Sequence, residues 1–346
     1  MEEATSGVTG TARPPRTPAM TDVARRAGVS HQTVSRVLNG HPSVRAETAD
    51  RVRAAIAELG YRRNQAARDL ATGRSQVLGV VAPHSAYFGP ASMLAAAAGA
   101  AAAAGFAVSV SSVPTVSRQT VVDAAERLVQ QNVAGMLVIA SVDEASAALA
   151  EVLTDVPSVH LGGDPAAGAV VRVDQQLGAR LATERLLAAG HETVWHVAGP
   201  VGWADSAGRV AGWEAALRDA GRPVPPVIVA RDWQASSGYE AGLVLARDPA
   251  VTAVFAADDS IALGLLRALH EAGRPVPTQV SVVGFDDVPD AAYLLPPLTT
   301  MRPDFGAVAR EGLAVLLDQV ETGSSVAERR TLPPLLVDRE SVAPPA

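Results

Sequence analysis

From Gln76 onwards, short runs of β-branched residues alternate with stretches of helical periodicity, and this alternation limits the possible fold more than any other feature. A strand, a helix and a second strand in succession form a parallel unit, because the connecting helix crosses the face of the sheet. The alternation occurs in two successive sets, over 77–161 and 175–284. The sequence therefore predicts two α/β lobes, each with helices on the faces of a parallel sheet.

The individual elements follow from the same pattern. In the first set it predicts strands over 77–82, 107–113, 135–139 and 158–161, and helices over 90–105, 120–131 and 144–153. In the second set it predicts helices over 175–190, 207–220, 236–246 and 260–272, and strands over 193–197, 227–230, 253–255 and 280–284. A final helix over 304–323 and a strand over 330–335 would rejoin the first lobe, which predicts several crossovers.

Two lobes of this kind leave a cleft, and ligands of such folds bind beyond the carboxyl ends of the strands. Polar residues cluster at these ends. Asp286 follows the strand predicted over 280–284, Asp258 follows the strand before it, and Arg209 follows the turn after strand 193–197. Arg and carboxylate side chains can hold vicinal hydroxyl groups, so the pattern suits a polyol ligand.

Residues 22–39, DVARRAGVSHQTVSRVLN, have the pattern of two short helices around a tight break. Gly28 follows the first helical run, where a left-handed residue ends a helix at low cost. Ser30 stands at the N-cap of the second helix. The polar outer face of that helix consists of His31, Gln32, Thr33, Ser35 and Arg36.

This polar face is suited to DNA, because Gln and Arg pair with base edges and a helix fits the major groove. The alternative is a helical hairpin with a solvated face. A third amphipathic helix is predicted over 46–59, with Val52, Ile56 and Leu59 on one stripe. A compact three-helix domain favours the DNA-binding interpretation.

The charge is divided unevenly along the chain. Residues 20–75 contain ten Arg and five acidic residues, a net charge of +5. Residues 76–346 contain 17 Arg and 29 acidic residues, and residues 1–19 are balanced, which gives the formal net charge of −7. A basic N-terminal domain on an acidic body predicts one surface for nucleic acid and none elsewhere.

Two segments, AMTDVARRAGVSHQTVSRVLNG and VRAETADRVRAAIAELGYRRNQAARDLATG, resemble the headpiece and hinge of the lactose repressor/galactose repressor (LacI/GalR) family of transcriptional regulators. The motifs HVAGP, AGRVAGW, VFAADDSIALGLL, VSVVGFDD and LLPPLTTMRPDF resemble the effector domain of that family. The resemblance implies an all-α helix-turn-helix headpiece, joined by a hinge helix to an α/β two-lobed effector domain that resembles periplasmic sugar-binding proteins.

The resemblance also implies the domain organisation. It consists of a disordered extension (1–17), a helix-turn-helix DNA-binding domain (18–63), a hinge helix (64–74), an effector-binding and dimerisation domain (75–340) and a tail (341–346). The N-lobe would comprise about 75–173 and 304–332, and the C-lobe about 174–303 and 333–340.

In the family, the recognition helix and the hinge contact DNA. Carried over by position, the DNA-binding residues are Thr21, His31, Gln32, Thr33, Ser35, Arg36, Asn39, Asn64, Ala67 and Leu70. Leu70 would be a wedge in the minor groove, since opening a base step is offset by the contacts that the bend allows. The alternative is that Leu70 covers a helix.

The resemblance implies an effector site made of Tyr87, Phe88, Arg209, Trp233, Asp258, Asp286 and Phe305. Arg209 falls on a sugar-hydroxyl-binding Arg and Trp233 on a Trp that stacks on the pyranose ring. The alternatives are that Arg209 and the Asp residues form salt bridges or helix caps, and that Trp233 is core packing. Asp259 is expected to cap the helix that follows it.

The predicted function is that of a DNA-binding repressor of sugar-utilisation genes. It would bind palindromic operator DNA as a homodimer and release it on binding a sugar effector. The segment DWQASSGY resembles the matching segment of the family, and this resemblance implies a galactoside. The pair Tyr87-Phe88 and the order LGGD over 161–164, which departs from the family pattern, leave other β-glycosides open. The alternatives are a ligand that acts as a corepressor, and a transport-type sugar-binding protein.

Other classes of function lack their motifs. The chain has no Cys, which excludes disulfides and Cys-ligated metal sites. No catalytic residue, metal or cofactor is predicted, because a zincin spacing, a phosphate-binding loop and a nucleophile elbow are all missing. No apolar run has the length of a membrane span or a signal peptide, so a cytoplasmic protein without a membrane partner is expected.

Overall fold

The structure, a computed structural model, describes residues 18–62, 75–83, 87–113, 117–139, 156–163, 168–324 and 327–345. The chain divides into two compact units, Met1–Arg74 and Ser75–Ala346. We call the described part of the first unit the headpiece and that of the second unit the body. The predicted extension (1–17) and hinge helix (64–74), the helix predicted over 144–153, and the hinge residues Asn64, Ala67 and Leu70 lie outside the described residues.

The headpiece consists of three helices, α1 (Met20–Ala27), α2 (His31–Leu38) and α3 (Ala46–Leu59). Val23, Val34 and Val52 are fully buried where the helices meet, so each helix is held by its apolar face. The predicted break is confirmed, because Gly28 has φ 66° and donates its N–H to the end of α1. The predicted N-cap is also confirmed, since the Ser30 hydroxyl accepts the Thr33 N–H at 3.2 Å.

The body consists of alternating strands and helices. Its strands are β1 (Val77–Pro83), β2 (Ala107–Val113), β3 (Gly135–Val138), β4 (Ser158–Leu161), β5 (Ala169–Val173), β6 (Trp195–Ala198), β7 (Ile228–Val229), β8 (Ala253–Ala256), β9 (Ser281–Phe285), β10 (Thr299–Arg302), β11 (Arg329–Leu332) and β12 (Leu335–Val337). Its helices are α4 (Phe88–Ala103), α5 (Arg118–Gln130), α6 (Gln175–Ala188), α7 (Ala204–Asp219), α8 (Ala235–Leu245), α9 (Asp259–Glu271) and α10 (Phe305–Thr322), with a 3-10 helix at Pro289–Tyr293.

The strands form two sheets of six, which define two lobes. The N-lobe sheet has the order β11-β5-β4-β3-β1-β2 and is parallel throughout. The C-lobe sheet has the order β12-β10-β9-β8-β6-β7, and only β12 is antiparallel to its neighbour. Helices bury apolar side chains on both faces of each sheet, as the alternation of strands and helices predicts.

The chain passes between the lobes three times, after β5, β10 and β11. The single strand predicted over 330–335 is wrong. Pro333 and Pro334 interrupt it, because proline has no N–H to donate to the ladder. As a result, β11 pairs with β5 in the N-lobe and β12 pairs with β10 in the C-lobe.

The residues after β12 continue to pack on the C-lobe, although the family resemblance implies a tail over 341–346. The Ser341 hydroxyl is fully buried and donates to the Val282 carbonyl at 2.6 Å. The Ala343 carbonyl accepts the Ser281 hydroxyl at 2.9 Å and lies 3.0 Å from His191 Nε2. The packed edge of the C-lobe therefore reaches at least Ala343.

The alanine-rich segment of the chain forms α4. Small side chains allow this helix to lie close to the N-lobe sheet, where Met93, Ala97 and Ala101 are buried. Across the described ranges, neither α4 nor any other helix combines the length and the apolar character that crossing a bilayer requires.

Candidate DNA-binding surface and effector cleft

The recognition helix α2 turns its polar residues outward. His31, Gln32 and Arg36 are exposed, whereas Val34 on the opposite face is fully buried between the helices. Exposed Gln and Arg side chains on one helix face are those that hydrogen-bond base edges in a major groove. Thr21 and Asn39, at the start of α1 and the end of α2, are also exposed.

Three of the predicted DNA-binding side chains, those of Thr33, Ser35 and Asn39, already make contacts within the headpiece. The Thr33 hydroxyl lies 2.9 Å from the Ser30 hydroxyl, and the Ser35 hydroxyl accepts the Asn39 side-chain amide at 3.4 Å. Both Thr33 and Ser35 are half-buried. The fully accessible part of the predicted surface is therefore His31, Gln32 and Arg36, with Thr21 and Asn39 beside it.

Replacing Ser30 by Ala should loosen the recognition helix. The N-cap hydroxyl accepts the Thr33 N–H at 3.2 Å and shares it with the Ser30 carbonyl at 3.0 Å, and the loss of a capping hydroxyl costs about 1 kcal/mol. Amide hydrogen exchange in α2 of the full chain should become about fivefold faster. Ser30→Asp, which keeps a capping acceptor, should leave exchange unchanged; equal acceleration in both variants would contradict the capping role.

The seven residues predicted for the effector site line one cleft in the body. The cleft lies between the carboxyl ends of the two sheets, and its walls include Tyr87, Phe88, Arg209, Trp233, Asp258, Asp286 and Phe305. The non-atom space within it is about 650 Å³, part of which is continuous with solvent. This size is typical of pockets for small molecules.

Arg209, on α7, is the centre of the polar wall and is only 5% exposed. Its Nε donates to Gln175 Oε1 at 2.9 Å, and its Nη1 donates to the Ala257 carbonyl. Its Nη2 lies 3.6 Å from Asp286 Oδ1. The guanidinium carbon, Cζ, also lies over the Phe285 ring, 3.8 Å from its centroid. These contacts hold the side chain in one orientation, so its planar guanidinium donors are already positioned before a ligand binds.

The helix cap that the sequence predicts at Asp259 is formed by Asp258 instead. Asp258 caps α9, since its Oδ1 accepts the Ile261 N–H at 2.6 Å, and it also lines the cleft. Asp259 is the first residue of α9 and accepts the Thr300 hydroxyl at 2.6 Å and the Val288 N–H at 2.9 Å. The predicted cap at Asp259 is therefore wrong, because its carboxylate points back to β10 and the segment after β9.

Asp286 has a backbone conformation that is uncommon for a residue with a side chain. Its φ is 102°, and its N–H donates to the Met301 carbonyl of β10 at 2.8 Å. Such conformations persist where the surrounding structure imposes them, and they concentrate at ligand sites. Burial raises the pKa of Asp286, the charge of Arg209 opposes this, and the charge of Asp205 adds to it.

Burial, together with the charge of Asp286, raises the pKa of Asp258 to about 7. The folded protein therefore keeps a proton on Asp258 that the unfolded chain loses near the ordinary value of 3.8. Between these two values, stability falls as the pH rises, because only the unfolded state is free to ionise this group.

Asp258→Asn should remove this pH dependence while its side-chain oxygen keeps the cap. The free energy of unfolding of the variant, measured with denaturant, should increase relative to that of the native protein as the pH rises from about 4 to 8. The increase should reach up to roughly 4 kcal/mol. Asp219→Asn, at an exposed position on α7, serves as the control. A constant difference between native protein and Asp258→Asn across this range would show that Asp258 titrates normally.

One corner of the cleft is aromatic and joins the lobes. The Trp203 ring, before α7, meets Tyr87 edge-to-face at 6.1 Å and Trp233 edge-to-face at 5.7 Å. Trp233 is 7% exposed and belongs to the C-lobe core, so the core-packing alternative holds for much of its ring. A Cβ at Gly199 would overlap this ring, so the turn after β6 needs a glycine to let the indole approach.

The N-lobe side of the cleft is largely apolar. Phe88 and Phe305 meet edge-to-face with centroids 6.2 Å apart. The apolar side chains that complete this wall are Met93, Ile139, Leu161 and Val173. The described part of the cleft therefore has a polar C-lobe wall and an apolar N-lobe wall.

Sequence reasoning missed three polar or aromatic residues of the cleft. Trp203 and Asp205 follow β6, and the rule that placed Arg209 at the end of this strand applies equally to them. Gln175 follows β5, a strand that the pattern does not predict, so its position offered no signal.

Two family models match the chain. The model for bacterial regulatory proteins of the lacI family matches residues 19–64, and that for a periplasmic binding protein-like domain matches residues 183–342. The lactose operon repressor of Escherichia coli (strain K12) is 35% identical over 328 residues, which cover 94% of this chain and 90% of that protein. The chain belongs to the LacI family.

Solved structures of LacI family proteins have the same fold as this member. The lac repressor dimer bound to operator and the anti-inducer ONPF has a TM-score of 0.87 at 33% identity, covering 95% of this chain and 100% of that chain. A complex of the transcriptional regulator CelR with cellobiose has a TM-score of 0.70 at 30% identity, covering 94% and 99%.

These relationships confirm the family and the fold class predicted from the sequence. This LacI family member is a DNA-binding transcriptional repressor with an effector domain, and it is not an enzyme.

Proposed function

We propose that this repressor controls sugar-utilisation genes and is released from its operator by a small sugar, such as a galactoside or another β-glycoside. The observation that carries the proposal is the division of the cleft into a polar and an apolar wall. Arg209, Asp258 and Asp286 can hydrogen-bond adjacent hydroxyl groups of one sugar ring. The apolar face of the ring can pack on an indole such as that of Trp233.

The apolar wall supports a glycoside whose second part is less polar than its sugar ring. Phe88 and Phe305 offer ring surfaces opposite the polar C-lobe wall, and neither carries a hydrogen-bonding group. Two related structures contain small ligands, cellobiose in the CelR complex and the anti-inducer ONPF in the lac repressor complex. An aglycone or a second sugar presenting its apolar face would fit this wall.

We further propose that the chain acts as a homodimer on a palindromic operator. The C-lobe has exposed apolar side chains, including Tyr293 at 84% and Leu295 at 93% exposure. Exposed apolar patches commonly mark protein interfaces, and the related lac repressor structure is a dimer on its operator. Two copies would place two recognition helices on two half-sites, with His31, Gln32 and Arg36 facing the bases.

The effector and the operator must be coupled energetically for release to occur. An effector shifts the protein towards a DNA-releasing state only by the difference between its affinities for the two states. By the same linkage, operator DNA must weaken effector binding by an equal factor.

Fluorescence anisotropy tests the proposal. The full chain would be titrated onto its labelled upstream DNA at fixed salt, with and without β-galactosides, β-glucosides and cellobiose. We expect release by at least one glycoside. Tighter binding with a ligand would show a corepressor instead, and the absence of sequence-specific binding under all conditions would contradict the assigned recognition surface.

A further inference from the structure

We propose that Asp287 is a positioning residue of the effector site and acts through its neighbour Asp286. The inference rests on the proposed function, in which the carboxylate of Asp286 accepts hydrogen bonds from a sugar. Among the described residues that line the cleft, Asp286 is included and Asp287 is not. The carboxylate of Asp287 lies instead between two guanidinium groups, and these contacts fix the turn that carries Asp286.

The turn after β9 contains two successive residues with positive φ. Asp286 has φ 102° and Asp287 has φ 49°. The value of Asp287 lies close to the left-handed helical region, which Asp tolerates, whereas that of Asp286 lies well outside it. A residue with a side chain keeps such a conformation only where the surrounding structure imposes it. The turn therefore depends on contacts from outside its own segment.

Both oxygens of the Asp287 carboxylate accept hydrogen bonds from arginine. Oδ1 accepts Arg339 Nη2 at 2.6 Å, and Oδ2 accepts Arg302 Nε. The side chains of Asp287 and Arg339 are only 8% and 17% exposed, so solvent screens this pair far less than a pair on an open surface. With a guanidinium on each oxygen, the carboxylate cannot rotate without breaking a charged hydrogen bond. The residue next to Asp286 is therefore fixed through its side chain.

The two arginines are themselves anchored in the C-lobe sheet. Arg302 ends β10, the strand that pairs with β9. Arg339 follows β12, its Nη1 donates to the Leu298 carbonyl at 2.7 Å, and its backbone N–H donates to the Thr299 hydroxyl at 2.9 Å. The position of Asp287 is therefore set by β10 and by the segment that follows β12.

The backbone on either side of Asp287 has contacts of its own. The Asp286 N–H donates to the Met301 carbonyl at 2.8 Å, and the Val288 N–H donates to Asp259 Oδ2 at 2.9 Å. These bonds hold the two ends of the turn, whereas the Asp287 carboxylate holds its middle. Binding groups must be held within about 0.5 Å of their productive positions, so a turn loosened at Asp287 would displace the Asp286 carboxylate from the ligand.

Amide hydrogen exchange of the full chain tests the positioning without any ligand. Asp287→Asn keeps the size of the side chain and tolerates a positive φ, but it lacks the charge that holds the two arginines. We expect exchange of the Asp286 and Val288 N–H groups, measured on fragments that contain the turn, to become about tenfold faster. Unchanged exchange there would overturn the inference, whichever ligand the cleft binds.

Isothermal titration calorimetry measures the consequence for effector binding. The probes are methyl β-galactoside, methyl β-glucoside and cellobiose, and the variants are compared on each probe that the native chain binds. Asp287→Asn should bind it about tenfold more weakly, because the Asp286 carboxylate is no longer held towards the ligand. A residue that only stabilised the C-lobe would lower the free energy of unfolding and leave the affinity of the folded chain unchanged. Unchanged affinity would therefore overturn the inference and leave the proposed function standing.

Asp219→Asn is the matched control. Asp219 is an exposed carboxylate of α7 that also pairs with an arginine, Arg180, at 2.8 Å. Its replacement makes the same chemical change away from the turn, so both the exchange in the turn and the affinity for the probe should stay at their native values.

Arg339 provides a second comparison if Asp287→Asn does not fold. Arg339→Lys and Arg339→Met both keep a long side-chain stem, but only Lys keeps a positive charge beside Asp287. Arg339→Met should lower the affinity for the probe about tenfold, and Arg339→Lys should retain most of it. Equal losses in the two variants would overturn the inference, because the charge beside Asp287 would then not hold the turn. If the native chain bound none of the three probes, the proposed function would fail, and the exchange measurement would still decide whether Asp287 fixes the turn.

Discussion

Arg209→Met should reduce effector affinity about 100-fold or more and leave operator affinity unchanged, giving a repressor that does not respond to its effector. The side chain is buried and held by Gln175 and Asp286, so its donors are oriented before a ligand arrives. Charged hydrogen bonds contribute about 1.5–3 kcal/mol each, and a sugar would lose at least one or two of them. The loss also leaves Asp286 without its positive partner. Calorimetry and anisotropy measure the two affinities.

Arg218→Met is the matched control, because Arg218 lies on the same helix, is exposed and pairs with Glu214. It should leave both affinities unchanged. Arg209→Lys keeps the charge but lacks the planar fork, so its effector affinity should fall between those of the native protein and Arg209→Met. If Arg209→Met bound the effector normally, the polar wall of the cleft would not be the binding surface.

The double variant Gln32→Ala/Arg36→Ala should weaken specific operator binding by roughly two to three orders of magnitude. Both side chains are exposed on α2, opposite the buried Val34, so their removal leaves the headpiece core intact. A good bidentate pairing with a base contributes about 1–3 kcal/mol of discrimination. Anisotropy with operator and scrambled DNA would separate the two contributions, because binding to scrambled DNA depends chiefly on phosphate contacts.

Arg53→Ala is the control for this variant. Arg53 is an exposed residue of α3 that pairs with Asp50. Its replacement by Ala removes one positive charge from the headpiece, as the double variant does. It should change both affinities little and equally. If the double variant weakened operator and scrambled DNA to the same extent, α2 would contribute charge alone, and base reading would have to occur elsewhere.

The strand β10, which the sequence pattern does not predict, escapes prediction for a physical reason. β10 lies between Pro297 and Pro303, and its residues Thr299 and Thr300 are polar yet fully buried. Their hydroxyls are satisfied by Asp338 or Asp259, which are distant in sequence. A local pattern does not contain such partners, so a short polar strand between prolines resembles a loop.

In the cleft, too, some features could be predicted from residues close along the chain, whereas others depend on residues that are distant in sequence. Arg209, Asp258 and Asp286 were recognisable because each follows a predicted strand, where ligands of this fold bind. The position of the helix cap at Asp258 and the different role of Asp259 were not recognisable. It depends on Thr300 and on the backbone after β9, which come together only when β9 and β10 pair.

The sequence by itself determined the three headpiece helices, the two α/β lobes and the polar ends of their strands. These follow from periodicity, caps and turn residues, which act between residues that are close along the chain. Only the tertiary structure decided the crossing at Pro333-Pro334 into the second sheet, the burial of Ser341 and the approach of Trp203 to Tyr87 and Trp233. Each of these depends on which distant surfaces meet, and that is settled by packing the two lobes as a whole.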